Sequence, residues 1–145
     1  MEVNNGELTI SKPEEFKAIN VKTLVFPGFA TDLGQPMSVL LTQANGMSIF
    51  EETIYENRMG HIKYLQKMGS NIRVNDRTAI IIGPSNLKGE EVVATDLRAG
   101  AAMVIAGLIA KGTTIVSEID HILRGYENIV EKLTNVGATI EIVEL

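Results

Sequence analysis

The stretch that decides the fold is Gly89–Thr114, "GEEVVATDLRAGAAMVIAGLIAKGTT". From Leu97 to Ala110 the only charged residue is Arg98, and all the others are apolar or glycine. A helix that is apolar nearly all round is buried on several sides. We therefore predict a buried helix that ends at Gly112. Its predicted face has the i, i+3, i+4, i+7 spacing of Ala101, Val104, Ile105 and Leu108.

The tetrapeptide ATDL in this stretch also occurs earlier in the chain, at Ala30–Leu33. Residues further along match at nearly constant spacing. The matching pairs are Gly46 with Gly112, Arg58 with Arg124, and Gly69 with Gly137. Such self-similarity indicates a duplicated structural unit. We place unit one at about 18–83 and unit two at about 89–145.

Each unit is predicted to run β-α-β-α-β-β, with the last strand of the second copy missing. In unit one the strands are "INVKTLV", "MSIFEETI", "NIRVN" and "TAIII", and in unit two "EEVVA", "TTIVSEI" and "TIEIV". The predicted helix faces are Met37, Leu40, Leu41 and Ala44; Ile62, Leu65 and Met68; and Ile129, Leu133 and Val136. The second helix of each unit also carries a charged face. We therefore expect an inverted, inside-out α/β barrel with buried first helices and outer sheets.

Composition limits the class of function. With 145 residues, 45% of them hydrophobic, the chain is long enough for one domain with a sizeable core. Its net charge of −5 argues against general nucleic-acid binding. It has no cysteine, which excludes disulfides, cysteine zinc sites and cysteine nucleophiles within it. We see no signal peptide and no run long enough to span a membrane, so we expect a cytoplasmic protein.

Common catalytic and nucleotide-binding motifs are absent from the sequence. The two histidines, His61 and His121, have no partners at the spacing of metal ligands, so we expect no metal site. We interpret His61 as a residue at a helix start and His121 as a loop residue.

Three short stretches could carry chemistry. The first is Thr–Asp within each ATDL, where the side chains either cap the following helix or aim a carboxylate at a substrate hydroxyl. The second, Glu52–His61, places Ile54, Tyr55 and Arg58 together, either as a platform for a ring and an anion or as an ordinary exposed turn. The third is Arg124, expected just before a helix start, where a cation is unfavourable unless it grips a carboxylate or phosphate. A pair of surface ion pairs is the alternative for both arginines.

Taken together, four long stretches resemble the C-terminal part of the UDP-N-acetylglucosamine 1-carboxyvinyltransferase family. They are "FPGFATDL" (26–33), "ETIYENRMGHIKYLQKMG" (52–69), Gly89–Thr114 and "HILRGYENIVEKLTNVGATIE" (121–141). The resemblance covers nearly the whole chain. Gly34, where the family usually has a larger polar residue, and "RMGH" depart from its pattern. The sister enzyme that acts on shikimate phosphate shares the fold, but "ENRMGHIKYLQKMG" is closer to the amino-sugar branch.

The resemblance implies a two-domain inside-out α/β barrel. It also implies transfer of the enolpyruvyl group of phosphoenolpyruvate to the 3-hydroxyl of UDP-N-acetylglucosamine, without a metal or an organic cofactor. Asp32, Asp96 and Arg124 match residues that bind the sugar hydroxyl, move protons near the reacting carbon, and grip phosphoenolpyruvate. The remaining residues that match the family's substrate-binding positions are Ile54, Tyr55, Arg58, Leu97 and Arg98.

Other residues that the family uses lie in segments that this chain does not contain. We therefore expect a partial C-terminal domain whose partner is the missing N-terminal part of the enzyme. Half a cleft cannot hold both reactants in attack geometry, so we expect weak binding and no turnover from the chain alone. The alternative is a non-catalytic, self-associating binding domain of the same fold, since a missing unit would leave apolar helix surface uncovered.

Overall fold

The computed structural model describes residues 2–11 and 13–144. Over those residues, no helix combines the length and the hydrophobicity that crossing a membrane requires. A single 3₁₀ turn, Thr31–Leu33, precedes the first α-helix. The strands are β1 (Glu2–Asn4), β2 (Glu7–Thr9), β3 (Asn20–Lys22), β4 (Gly46–Glu51), β5 (Asn71–Asn75), β6 (Thr78–Gly83), β7 (Glu91–Val93) and β8 (Ile115–Ser117). The helices are α1 (Gly34–Leu41), α2 (Ile62–Lys67), α3 (Leu97–Ile109), α4 (Asp120–Leu123) and α5 (Ile129–Asn135).

The first unit has the predicted order, β3-α1-β4-α2-β5-β6. Its sheet has the strand order β3-β4-β6-β5, with β3 parallel to β4 and the other pairs antiparallel. Alternation along β4 buries Ser48 and Phe50, and β6 buries Ala79 and Ile81. One face of this sheet therefore covers the helices and the other forms the outside of the molecule.

The core lies between the two ATDL-associated helices and this sheet. Helices α1 and α3 pack against each other, and their buried residues share one apolar cluster with Phe50 and Ile81. The parallel pair β7–β8 adds Val92 to the same cluster from the second unit. The prediction of buried first helices and outer sheets is confirmed.

The predicted faces of the two buried helices are partly wrong. In α1, Val39 is fully buried whereas Leu40 is 42% exposed. In α3, Ala101 and Val104 are buried as predicted, but Ile105 and Leu108 are each 40% exposed. When almost every position is apolar, several faces satisfy the same spacing, so periodicity does not fix which one is buried. The residues of α3 that share a cluster with α1 and the sheet are Ala102, Met103 and Ala106.

Gly100 lies on another side of α3, where the contact with α4 leaves no room for a side chain. A Cβ atom built on this glycine would lie 2.5 Å from Cγ1 of Ile122, which is on α4. Helix α4, which the sequence did not predict, therefore packs directly against α3. Because His121 lies within α4, its prediction as a loop residue is wrong.

The end of the second unit differs from the prediction. Helix α5 has no buried residue, and Val136 is 81% exposed rather than inward-facing. Residues 138–144, which contain the predicted strand "TIEIV", form no strand. A strand forms only where a neighbour accepts its backbone hydrogen bonds, and the sheet of this unit contains only β7 and β8 in the described residues.

The N-terminal segment forms a hairpin that the sequence did not predict. Its strands β1 and β2 are joined by a turn at Asn5 and Gly6, which both have positive φ.

Two local predictions in the first unit are confirmed. Helix α2 buries Ile62 and Leu65, and Met68 at its end is also fully buried. Gly69 then adopts a φ of +100°, as a C′ glycine does after a helix.

Candidate active site

The two ATDL segments have different local structures. Asp96 is the N-cap of α3, and its Oδ1 accepts hydrogen bonds from the amides of Arg98 (2.8 Å) and Ala99 (3.0 Å). Asp32 lies inside the 3₁₀ turn, where neither this turn nor α1 has a side-chain cap. The capping interpretation is therefore confirmed for Asp96 and wrong for Asp32.

Because it is not used as a cap, the carboxylate of Asp32 binds two arginines. Oδ1 accepts from Nη1 of Arg58 at 3.0 Å and from Nε of Arg98 at 2.5 Å. Arg58 belongs to unit one and Arg98 to unit two, so Asp32 joins the two units. Hydrogen bonds from Arg98 and then Arg58 hold the pKa of Asp32 below its usual value. The carboxylate is 62% exposed and accessible to a ligand.

Arg58 is held on three sides. Besides Asp32, its Nη1 donates to Oγ1 of Thr31 at 3.0 Å. Its guanidinium carbon lies 3.8 Å from the centroid of the Tyr55 ring, which is a cation–π contact. The predicted proximity of Tyr55 and Arg58 is thus present, and the two side chains form one surface beside Asp32.

A buried carboxylate, Glu52, lies behind this surface. It is 2% exposed and accepts from the hydroxyls of Thr31 (2.6 Å) and Thr23 (2.9 Å). The amides of Ile54 (2.8 Å) and Tyr55 (3.1 Å) also donate to it. Burial raises the pKa of Glu52, but the hydrogen bonds, led by that from Thr31, outweigh burial and lower it. Glu52 therefore carries a negative charge at neutral pH.

The sequence interpretation missed Glu52, although a signal was available. The alternation that buries Ser48 and Phe50 in β4 places Glu52 on the same inward side, one residue past the strand. A carboxylate on an apolar inward face needs donors, and hydroxyls such as Thr23 and Thr31 supply them.

Of the remaining predicted residues, Ile54 and Leu97 border the cluster. Ile54 is fixed through its amide on Glu52, and its side chain is 37% exposed. Leu97 packs against Gly125, where an added Cβ would lie 2.3 Å from Leu97 Cδ1. This contact brings the segment after α4 next to the start of α3.

Arg124 lies outside the Asp32 cluster. It caps the C-terminal end of α4, so its prediction just before a helix start is wrong. A cation is favourable at that end of a helix. Its Nη2 lies 3.2 Å from Nδ1 of His121, and the side chain is exposed. The residue borders two open surface depressions of about 710 and 560 Å³, neither of which reaches Asp32.

His61 is at the start of α2, as predicted, but it is fully buried. Its Nε2 lies 2.7 Å from Oγ of Ser38, which in turn lies 2.6 Å from the carbonyl oxygen of Gln35. A neutral imidazole has one donating and one accepting ring nitrogen, and the Ser38 hydroxyl is able to serve as partner to either. Across the described part of the chain, no group of three or more His, Cys, Asp or Glu side chains could hold a metal ion.

Solved structures share this arrangement of buried helices and outer sheets. The chain matches the enolpyruvyl transferase NikO from Streptomyces tendae with a TM-score of 0.81 and 28% identity, over 89% of this chain and 30% of that one. An EPSP synthase from Acinetobacter baumannii matches in fold, with a TM-score of 0.53 and 23% identity over 67% of this chain and 26% of that one. The fold is therefore that of the enolpyruvyl transferases.

Relatives found by sequence show which enolpyruvyl transferases this chain closely resembles in sequence. The profile of the EPSP synthase (3-phosphoshikimate 1-carboxyvinyltransferase) family matches residues 1–133, and the chain belongs to this family. It is 50% identical over 140 residues to UDP-N-acetylglucosamine 1-carboxyvinyltransferase 2 of Geobacillus kaustophilus, and 47% identical to the enzyme of that name in Listeria monocytogenes. Each match covers 97% of this chain and 33% of the relative, so the chain spans about a third of their length. The resemblance predicted from the sequence is confirmed.

Proposed function

We propose that this chain forms one wall of an active site that transfers the enolpyruvyl group of phosphoenolpyruvate to the 3-hydroxyl of UDP-N-acetylglucosamine, releasing phosphate. The observation that carries the proposal is the Asp32–Arg58–Arg98 cluster, an accessible carboxylate between two arginines from different units. The names of the relatives at about 50% identity supply UDP-N-acetylglucosamine and the carboxyvinyl group, and the family resemblance supplies phosphoenolpyruvate and the 3-hydroxyl.

The lowered pKa of Asp32 fits a hydroxyl-binding role. The carboxylate is ionised at neutral pH, so it can accept a hydrogen bond from the sugar hydroxyl and orient it. A carboxylate of low pKa is a weak base, so proton transfer to it must accompany formation of the carbon–oxygen bond. Arg58 and Arg98 stabilise the ionised form throughout.

Asp96 and Arg124 are assigned to the phosphoenolpyruvate side of the reaction. The cap bonds of Asp96 use only Oδ1, which leaves Oδ2 for a proton near the reacting carbon. Arg124 offers an exposed guanidinium that suits a carboxylate or phosphate. The contact between Gly125 and Leu97 supports this assignment, because it holds the neighbouring segment against the start of α3.

The rest of the enzyme is the proposed partner of the chain. Ile105, Leu108 and Ile109 form one exposed apolar side of α3, each 40–45% exposed. In a longer protein this side would pack against another segment. Self-association of a non-catalytic domain is the alternative, and sedimentation of the purified chain distinguishes the two, since a monomer argues against self-association. A cytoplasmic location and the lack of a cofactor remain predictions.

A chimera tests the proposal. The matching third of the Geobacillus kaustophilus enzyme is replaced by this chain, and phosphate release is measured with both substrates. We expect activity from the chimera and none from the 145-residue chain alone. Asp32→Asn should lower kcat about 10²-fold or more, whereas the exposed control Asp76→Asn should not. A folded but inactive chimera, turnover by the isolated chain, or equal rates for the two variants would contradict the proposal.

A further inference from the structure

We infer that Glu52 is a positioning residue that acts through the Thr31 hydroxyl to fix Arg58 and Asp32 in the geometry that the proposed reaction needs. The inference rests on the proposed function for its kinetic part only. Glu52 itself is buried, so it is not in contact with a ligand bound at the surface beside Asp32.

The first step is the direction of the hydrogen bonds at Glu52. An ionised carboxylate has no proton to donate, so all of its partners must donate to it. Thr31 donates to Oε2, and Thr23 and the amides of Ile54 and Tyr55 donate to Oε1. The carboxylate thus determines where the Thr31 proton points.

The second step is the effect of that direction on Arg58. A threonine hydroxyl has one proton, and in Thr31 it is committed to Glu52 at 2.6 Å. Only the lone pairs of Thr31 then face Nη1 of Arg58, which donates to them at 3.0 Å. The same nitrogen donates to Asp32, the next residue along the chain, at 3.0 Å. Thr31 and Asp32 therefore fix the direction in which Nη1 of Arg58 points.

The third step is charge. Glu52 makes no ion pair within the described residues, and its nearest connection to a cation is Arg58 through Thr31. Asp32 is paired with both arginines, and Asp96 adds a negative charge near Arg98. Neutralising Glu52 would therefore remove negative charge mainly from the Arg58 side of the cluster and would turn the Thr31 proton away from its present acceptor. Both changes would draw Arg58 further onto Asp32, which would then be a poorer acceptor for the sugar hydroxyl.

The second unit has no such arrangement. Glu118, like Glu52, directly follows the second strand of its unit, but it is exposed and has a φ of +58°. The matching arginine, Arg124, contacts His121 rather than a buried relay of hydroxyl and carboxylate. The device is therefore specific to the unit that carries Asp32.

The test uses Glu52→Gln, which keeps shape but removes the charge, and Thr31→Val, which removes the hydroxyl while leaving three of the four hydrogen bonds of Glu52. Thr31→Ser restores the hydroxyl. The matched control is Glu51→Gln, at the neighbouring position, where the carboxylate is exposed and pairs with Lys22 on the surface.

In the chimera we expect Glu52→Gln and Thr31→Val each to lower kcat by about tenfold to a hundredfold. The double variant should be no slower than either single one, because both remove the same relay. Thr31→Ser should recover most of the rate, and Glu51→Gln should stay within about twofold of the parent. Multiplying effects in the double variant, or no recovery in Thr31→Ser, would overturn the inference.

A second measurement does not depend on the reaction. In the 145-residue chain the Arg58 Nε–H resonance reports its position over the Tyr55 ring. We expect it to shift in Glu52→Gln and Thr31→Val but not in Glu51→Gln. An unchanged resonance in folded Thr31→Val refutes the inference. If the unsubstituted chimera is inactive, the proposed function fails, and this spectrum still decides the role of Glu52.

Discussion

Burial of His61 predicts that this protein loses stability well above the pH at which its carboxylates titrate. The imidazole is fully buried, and its Nε2 lies within hydrogen-bond distance of Ser38 Oγ, at 2.7 Å. Burial lowers its pKa from 6.5 to about 4, and the nearby carbonyl of Arg58 and the charge of Asp96 oppose this only in part. In the unfolded chain His61 regains its ordinary pKa and takes up a proton first. Stability is therefore complete above about pH 7 and falls as the pH drops toward 4.

The expected loss follows from these two values. With pKa values of about 4 folded and 6.5 unfolded, acidification from pH 7 to pH 5 costs about 2 kcal/mol in free energy of unfolding. Asp32 and Glu52 have lowered pKa values, so their own contributions are lost at still lower pH, as the pH falls below their unfolded values of 3.8 and 4.5. Between pH 7 and pH 5, the loss of stability therefore reports the protonation of His61 rather than that of Asp32 or Glu52.

Urea unfolding at half-unit steps of pH, followed by circular dichroism, measures this loss. The chain has only one other histidine, His121, which is partly exposed and serves as the matched control. We expect His61→Gln to flatten the dependence between pH 7 and pH 5, and His121→Gln to leave it unchanged. An NMR titration of the imidazole gives the folded pKa directly. A value near 6.5 for His61, or an unchanged slope in folded His61→Gln, would refute the reasoning.

Substitutions at the α3 cap and at two packed positions test the capping and the packing, each by urea unfolding at pH 7. Asp96→Ala removes two cap hydrogen bonds and should cost about 1 kcal/mol, whereas Asp96→Asn, which keeps a capping oxygen, should cost less than half as much; equal losses would argue against the cap assignment. Leu65→Ala should cost about 3 kcal/mol, because the side chain is fully buried, and a loss below 1 kcal/mol would contradict that burial. Gly100→Ala should destabilise by about 1–3 kcal/mol despite the better helix propensity of alanine, because the new methyl group meets Ile122; a gain in stability would show that α4 can move away.

The sequence was sufficient for the class of fold because its strongest signals are local. An apolar run such as Leu97–Ala110 can only be a buried helix, and glycines such as Gly69 end helices by a backbone conformation that other residues avoid. The face that a buried helix uses depends on its neighbour. The spacing of Ile105 predicts a core residue, but α1 packs against the side of α3 that carries Ala102 and Ala106.

The predicted site residues were only partly brought together. Asp32, Tyr55, Arg58 and Arg98 converge because the segments that carry them follow the ends of adjacent elements. The position of Arg124 could not be predicted, since it depends on α4, a short helix formed by packing against α3 rather than by its own periodicity.

The divergence of the two ATDL copies shows how one sequence motif can serve two purposes. In the second copy the aspartate accepts hydrogen bonds from two amides at the start of a long helix, where the amides have no partner within the helix. In the first copy the 3₁₀ turn shifts the aspartate out of the cap position, and the charges around it then decide its contacts. Arg58 and Arg98 are both within reach, and Glu52 fixes the intervening hydroxyl of Thr31. Asp32 is available to a ligand because it does not cap a helix, whereas Asp96 caps α3. The two copies have the same sequence, so capping preferences alone do not predict which aspartate is available.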